Sequence, residues 1–467
     1  MYRLAQFSPT IVAVLMALFP APEGLTPEAW YFFSIFVGVV IGLIVEPVPA
    51  ALVGLAGVTV VAMLGLVDPS PAASRSWALS GFSNSVIWLI FAAFMFALGY
   101  QKTGLGKRIS LILIKFLGRN TLGLGYAIAF ADGILSPFMP SNTARSAGTI
   151  YPVVSNIPPM FNSTPDHDPR KIGAYLKWVG IAATCVTSSM FLTALAPNLL
   201  ALDLIQQASG VTISWGHWAS VMLPAMVPLF LLTPWLAYVI YPPTQKQSPE
   251  APAWATSELQ KMGKISRKEL MMLGYAILAL VLWIFGKQIG VDSTMAAIFV
   301  LTLMVLTNIL SWEDVITNKS AWNVLVWFAT LVAMASGLSK TGILDWLGNL
   351  VAAYLQGMPP STVALMLVVL FFVLHYFFAS TTAHTTALLP LFMATAAPLM
   401  PAPMLAKLAL MLAASLGLMG IITPYATGPA PIWYGSGFIS QARWWALGAI
   451  FGAIFLGTMV ILTLVYI

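Results

Sequence analysis

Two polar triplets interrupt otherwise apolar stretches of this chain, Ser141-Asn142-Thr143 and Ser380-Thr381-Thr382. Hydroxyls and an amide are neutral donors, and Ser, Asn and Thr are favoured where helices begin. A helix start also exposes backbone N–H groups and the positive end of its dipole, so such a place attracts an anion. Capping needs one residue, and each triplet supplies three. Two such starts facing one ligand suit a molecule with two anionic ends, such as a dicarboxylate. Arg145 and His384 follow the triplets at matching positions. An arginine within an apolar span costs about 2.5–3.5 kcal/mol. It reads as snorkelling to the membrane edge, as paired with Asp132, or as serving the ligand. His384 reads as a neutral core histidine or as Arg145's functional counterpart.

Two further breaks run from Thr193 to Asn198 and from Thr423 to Pro429. They free backbone carbonyls, and Thr193, Pro197, Asn198, Thr423, Pro424 and Thr427 are the candidate supporting residues there. Plain proline kinks account for these breaks equally well. His167, His217 and His375 read as structural or loop residues. No P-loop, HExxH, GxSxG or CxxC arrangement occurs, so no catalytic residue, metal site or cofactor is expected.

The elements that must carry these residues follow from composition. Of 467 residues 59% are hydrophobic and 8% are charged, against roughly 25% charged in soluble proteins. The chain is therefore read as an all-α polytopic membrane protein. One cysteine, Cys185, excludes an internal disulfide, and the net charge of +6 is too dispersed for a nucleic-acid face. Crossing segments of about 20 residues are expected near 9–20, 28–46, 49–67, 84–100, 173–208, 217–241, 269–288, 293–311, 322–339, 404–438 and 443–467. The stretches 122–156 and 362–399, broken at the triplets, are expected to enter and leave on one side as re-entrant hairpins. With the N-terminus inside, sixteen basic residues then share one face and four, Arg75, Lys287, Lys340 and Lys407, the other. That bias marks the first face as cytoplasmic. The expected organisation is an N-terminal helix at 1–27, a first repeat at 28–241, a cytoplasmic linker at 242–268 and a second repeat at 269–467.

The two repeats are visible as sequence. Gly99-Tyr100-Gln101-Lys102-Thr103-Gly104 returns as Gly337-Leu338-Ser339-Lys340-Thr341-Gly342, and Ser141-Asn142-Thr143-Ala144-Arg145 as Ser380-Thr381-Thr382-Ala383-His384. Five crossings plus a hairpin per half make the second inverted, the arrangement of secondary transporters with a site between the repeats. A channel, or a duplicated structural protein, is the weaker reading.

At the phrases MPSNTARSAGTIYPV, FASTTAHTTALLP and GIITPYATGPAPIWYGSGFI the chain resembles the divalent anion:sodium symporter (DASS, INDY-type) superfamily. The resemblance is to the branch of citrate/succinate and tartrate/succinate antiporters and 2-oxoglutarate/malate translocators. It implies eleven transmembrane helices, two re-entrant hairpins, a homodimer and elevator movement. It further implies carboxylate binding at Ser141, Asn142, Thr143, Ser380, Thr381 and Thr382, the second motif departing by Thr381 where many members have Asn. Arg145 and His384 would replace two sodium ions as fixed charge, giving Na⁺-independent obligatory exchange. A Na⁺-coupled dicarboxylate symporter and an inorganic divalent anion carrier are the alternatives. The expected location is a bacterial inner membrane, with lipid and small carboxylates as the only partners besides a second copy.

Overall fold

The computed structural model describes residues 2–45 and 47–467, and among the described residues the regular structure is helical apart from one isolated backbone bridge. The first half contains α1 (Tyr2–Ala17), α2 (Pro27–Val45), α3 (Ala50–Met63), α4 (Pro71–Leu79) and α5 (Ser85–Thr103). It continues with α6 (Leu105–Leu117), α7 (Thr121–Leu135), α8 (Tyr151–Val154), α9 (Ile157–Met160), α10 (Gly173–Met190), α11 (Ala196–Ser209) and α12 (Trp215–Ile240). A helix between the halves, α13 (Glu250–Met262), precedes α14 (Arg267–Ile289), α15 (Ser293–Leu306), α16 (Trp312–Thr317) and α17 (Lys319–Lys340). Then come α18 (Ile343–Leu355), α19 (Pro360–Leu374), α20 (Thr381–Ala396), α21 (Ala402–Leu418), α22 (Ala430–Gly435) and α23 (Gln441–Tyr466).

Among the described residues, nine helices are long and apolar enough to cross a bilayer. Two of them, Thr121–Phe138 and Pro360–Phe377, are the incoming arms of the expected hairpins. The crossings expected at 49–67 and 293–311 are 14-residue helices. At 1.5 Å per residue each spans about 21 Å, less than a hydrocarbon core of about 30 Å.

The halves repeat one order of elements. In each, a long helix (α5, α17) ends at a glycine in the left-handed region, Gly104 at φ 78° and Gly342 at φ 77°. Glycine adopts that conformation without a Cβ clash, so the chain turns sharply into a second helix (α6, α18). An arm, a tip and a second arm follow.

Every residue of α10 is buried. Its small residues make this possible: Gly180 lies so close to the Trp433 ring that a Cβ would stand 2.3 Å from it. Trp178 and Trp444 pack edge to face at 5.1 Å beside them. A helix buried all round is the centre of its bundle, and α10 is where the first tip and both breaks converge.

The segment expected as a plain linker is knitted into the first half. Thr121 N–H donates to Lys246 O and Ser248 N–H to Arg119 O, while Thr244 and Gln245 N–H donate to Arg170 O and Lys171 O. The buried hydroxyls of Thr121 and Ser248 add bonds to Gln245 O and Gly118 O. At the far end the Ser266–Glu269 capping box starts α14, and Glu269 also takes Arg108 at 2.5 Å. Arg108 reaches Gly263 O as well, so α6, α13 and α14 share one buried ion pair.

Candidate functional site

Each tip is built from a helix that stops and another that starts. In the first, α7 passes through a 3₁₀ turn at Ser136–Phe138, and the second arm opens as a π-helix over Thr143–Ile150. In the second, α19 passes through a 3₁₀ turn at His375–Phe377 and α20 begins at Thr381. The leading serines are caps: Ser141 Oγ accepts from Ala144 N–H at 3.1 Å, and Ser380 Oγ accepts from Ala383 N–H at 3.3 Å. Simple capping thus explains one residue of each triplet. The N–H groups of the next two residues, Asn142 and Thr143 in one tip and Thr381 and Thr382 in the other, have no partner among the described residues. Neither do the hydroxyls of Thr143 and Thr382, which occupy equivalent places in the two repeats.

Both tips open on one cavity of about 260 Å³. Ser141, Asn142, Thr143, Ser380, Thr381 and Thr382 all line it, with Pro197 and Thr427 from the two breaks. Phe94 of α5 and Val324, Trp327 and Phe328 of α17 form an apolar wall. Among the described residues, no charged side chain lines it. Asn142 Nδ2 donates to Thr427 Oγ1 at 2.8 Å, which ties the first tip to the second half's break. Gly428 lies against Thr143 at a distance no other residue would permit, since a Cβ there would stand 2.0 Å from the Thr143 hydroxyl.

Arg145 is fully buried but does not line the cavity. Its Nε stands 3.2 Å from both Asp132 carboxylate oxygens. Asp132, also buried, accepts from the hydroxyls of Thr184 and Thr187 as well. One Arg145 terminal nitrogen donates to Met139 O at 2.6 Å and Ala194 O at 2.7 Å, and the other reaches Ser188 Oγ at 3.1 Å. Asp132 pairs with the guanidinium, so Arg145 does not stand as a lone charge. What Arg145 does is bind the carbonyls freed by two helix breaks. Ala196 N–H to Pro140 O and Thr193 Oγ1 to Pro137 O complete that seam.

His384 is equally buried and also lies off the cavity. Its ring packs edge-on against Phe371 at 4.4 Å and Phe378 at 5.0 Å, and neither ring nitrogen has a partner among the described residues. His375, read as structural, binds Ala426 O at 2.8 Å and so fixes the second break. The first break lies earlier than expected. The chain leaves helix at Phe191 and resumes at Ala196, so Pro197 occupies the first turn of α11, where its missing N–H costs nothing. Asn198 turns away, donating to Ser188 O at 2.8 Å. Thr193, Thr423 and Pro424 shape the breaks without reaching the cavity. The sequence reading did not single out Phe94, Trp327, Phe328 or Gly428. Only Gly428 carried a signal, a glycine set between a polar residue and a proline.

Residues 3–467 match the family described as the sodium:sulfate symporter transmembrane region. The chain belongs to that family. The family resemblance read from the three motif phrases is borne out, and the protein is a multi-pass membrane transporter rather than an enzyme. Relatives in the sodium:sulfate symporter family include L-tartrate/succinate antiporters of Shigella sonnei and Escherichia coli K12. Each is 51% identical, with 98% of this chain and 96% of the relative covered. Among solved structures, the YdaH transporter of Alcanivorax borkumensis shares the fold, with a TM-score of 0.54 and 15% identity. That match covers 83% of this chain and 86% of the YdaH chain.

Valine is the near-isosteric replacement for threonine that lacks the hydroxyl. Thr143→Val and Thr382→Val are each expected to raise the Kd for a dianion bound at the tips at least about tenfold, since a hydrogen bond to a charged group contributes about 1.5–3 kcal/mol. Equilibrium binding to the detergent-purified protein checks this.

Proposed function

We propose that the protein exchanges dicarboxylates of the tartrate and succinate class, or the related tricarboxylates, across a bacterial inner membrane without Na⁺. In this reading the N-terminus is cytoplasmic, the two hairpins are re-entrant, and the halves are inverted repeats. Two copies form a dimer, and the tip-bearing unit moves as an elevator. The observation that carries it is the single cavity into which two tips, one from each half, aim unpaired neutral donors. Four free N–H groups and two free hydroxyls suit a ligand with two separated anionic ends. The L-tartrate/succinate antiporters, half identical over nearly the whole chain, support the same class.

Exchange follows from the same donors. In an empty carrier only water can satisfy these N–H groups, and each donor that loses that water within the apolar barrier costs about 1–3 kcal/mol. Carboxylates at both tips remove that cost, so the loaded protein crosses readily and the empty one does not. Independence from Na⁺ is favoured by Arg145, one of whose terminal nitrogens occupies both the Met139 and Ala194 carbonyls. Those are oxygens of the kind a sodium ion would need, and the guanidinium stays in place through the cycle.

Counterflow tests this. Proteoliposomes loaded with succinate are expected to take up labelled tartrate equally well in Na⁺ and in choline medium, and empty vesicles to take up none. Uptake into empty vesicles driven by an inward Na⁺ gradient would overturn it in favour of a Na⁺-coupled symporter. Sulfate outcompeting both carboxylates would point to an inorganic anion carrier.

A further inference from the structure

A second polar cavity, of about 340 Å³, lies along the second arm of the first hairpin. Gly148, Thr149, Pro152 and Asn156 of that arm form one wall, and the end of α5 with the start of α6 forms another. Trp254 and Glu258 of α13 cover it. The second half has a counterpart of about 160 Å³ at the same repeat spacing, where Leu338, Ala387 and Leu391 replace Tyr100, Gly148 and Pro152. There the cover is Phe33 and Phe36 of α2, and every lining residue is apolar. The fold therefore closes this groove perfectly well with hydrocarbon alone. Beyond the Lys107–Glu258 pair that joins α6 to α13, the repeat geometry does not call for the polarity of the first groove.

Its groups are those that receive a carboxylate. Tyr100 is 2% exposed, and its hydroxyl has no partner among the described residues. The Gln101 amide is likewise unpartnered. Lys107 supplies a cation, with its Nζ held 3.3 Å from Glu258 Oε2, while Lys261 holds the other Glu258 oxygen at 2.6 Å. Hydrogen bonds from Lys261 and then Lys107 hold the Glu258 carboxyl below the usual carboxylate range. It is thus an ionised carboxylate already seated on the cavity's cation. The face is the one that collects Lys102, Lys107, Lys115 and the basic residues of 242–268, hence cytoplasmic by the positive-inside bias. The π-helix Thr143–Ile150 runs from the tip cavity at Thr143 to this one at Gly148, so the two lie on one continuous arm.

We propose that this cavity is a cytoplasmic-side waiting site for the dicarboxylate substrate, with Lys107 as its cation and Glu258 as the internal carboxylate that substrate displaces. The proposal rests on the carboxylate-exchange reading above. It makes the two faces of the carrier unequal: substrate arriving from the cytoplasm meets Lys107 and the Tyr100 phenol before the tips.

Exchange measured with succinate in right-side-out and inside-out vesicles separates the faces. Lys107→Gln is expected to raise the succinate KM about three- to tenfold on the cytoplasmic face alone, an effect that shrinks at high salt. Tyr100→Phe keeps the packed ring and is expected to repeat the one-sided rise, while Glu258→Gln frees Lys107 and lowers that KM. Unchanged values on the cytoplasmic face, or equal shifts on both faces, overturn the waiting site while exchange itself stands. A wild-type protein that exchanges no carboxylate overturns the underlying reading, and this one with it.

Discussion

Arg145→Ala is expected to abolish exchange and to lower the melting temperature of the purified protein, both from one cause. The guanidinium binds Asp132, Met139 O, Ala194 O and Ser188 at once. Its removal leaves a buried carboxylate with two hydroxyl donors but no counter-charge, and breaking a buried ion pair costs about 3–5 kcal/mol. Two carbonyls at helix breaks lose their donor in the same step. Lysine cannot rescue it, because three donors on one nitrogen do not reproduce a planar fork aimed at four groups. The paired variant Asp132→Ala/Arg145→Ala separates the two contributions. With no lone charge left it is expected to recover part of the stability, yet to remain inactive because the carbonyls at Met139 and Ala194 are still unpaired. Counterflow and thermal unfolding in detergent read the two quantities. An Arg145→Ala protein that keeps its melting temperature would show that the guanidinium does not brace the breaks.

Gly428→Ala is expected to reduce exchange about a hundredfold, the scale on which a displacement of about 1 Å in a positioned site acts, while the protein still folds. The added methyl carbon would stand 2.0 Å from Thr143 Oγ1 and 3.4 Å from Thr143 Cβ. Threonine is stiff at χ1, so the hydroxyl cannot simply swing aside. It must turn out of the cavity or take the tip with it. Asn142, bonded to Thr427 next door, is drawn into the same displacement. Counterflow beside size-exclusion behaviour checks it, and normal exchange by a monodisperse variant would mean that Thr143 does not touch substrate.

The tips were legible because each triplet stands beside a break in an apolar stretch, and because the pattern recurs at the repeat spacing. Asp132 was legible as a partner for Arg145, standing on the opposite arm of one hairpin. The carbonyl acceptors were not, since every residue has a carbonyl and nothing in a side chain announces which ones a break leaves free. The wall of Phe94, Val324, Trp327 and Phe328 was hidden for a different reason. It comes from α5 and α17, which are apolar on nearly every face, so periodicity cannot say which side meets the tips. The segment 242–248 read as linker because its polar, proline-bearing residues show no period. Its backbone bonds close onto Arg119, Thr121, Arg170 and Lys171, a pairing that local sequence does not encode.

That knitted segment also bears on the order of assembly. Its partners at Gly118, Arg119, Thr121, Arg170 and Lys171 all precede it in the chain. Once residue 248 has left the ribosome, the base of the first hairpin and the start of α10 can be stitched together, before α14 has emerged. Domains fold as units from the N-terminus during synthesis, and here the stretch that divides the halves in sequence seals the earlier one. The second half then inserts against a finished surface, with Arg108 already standing where Glu269 will arrive.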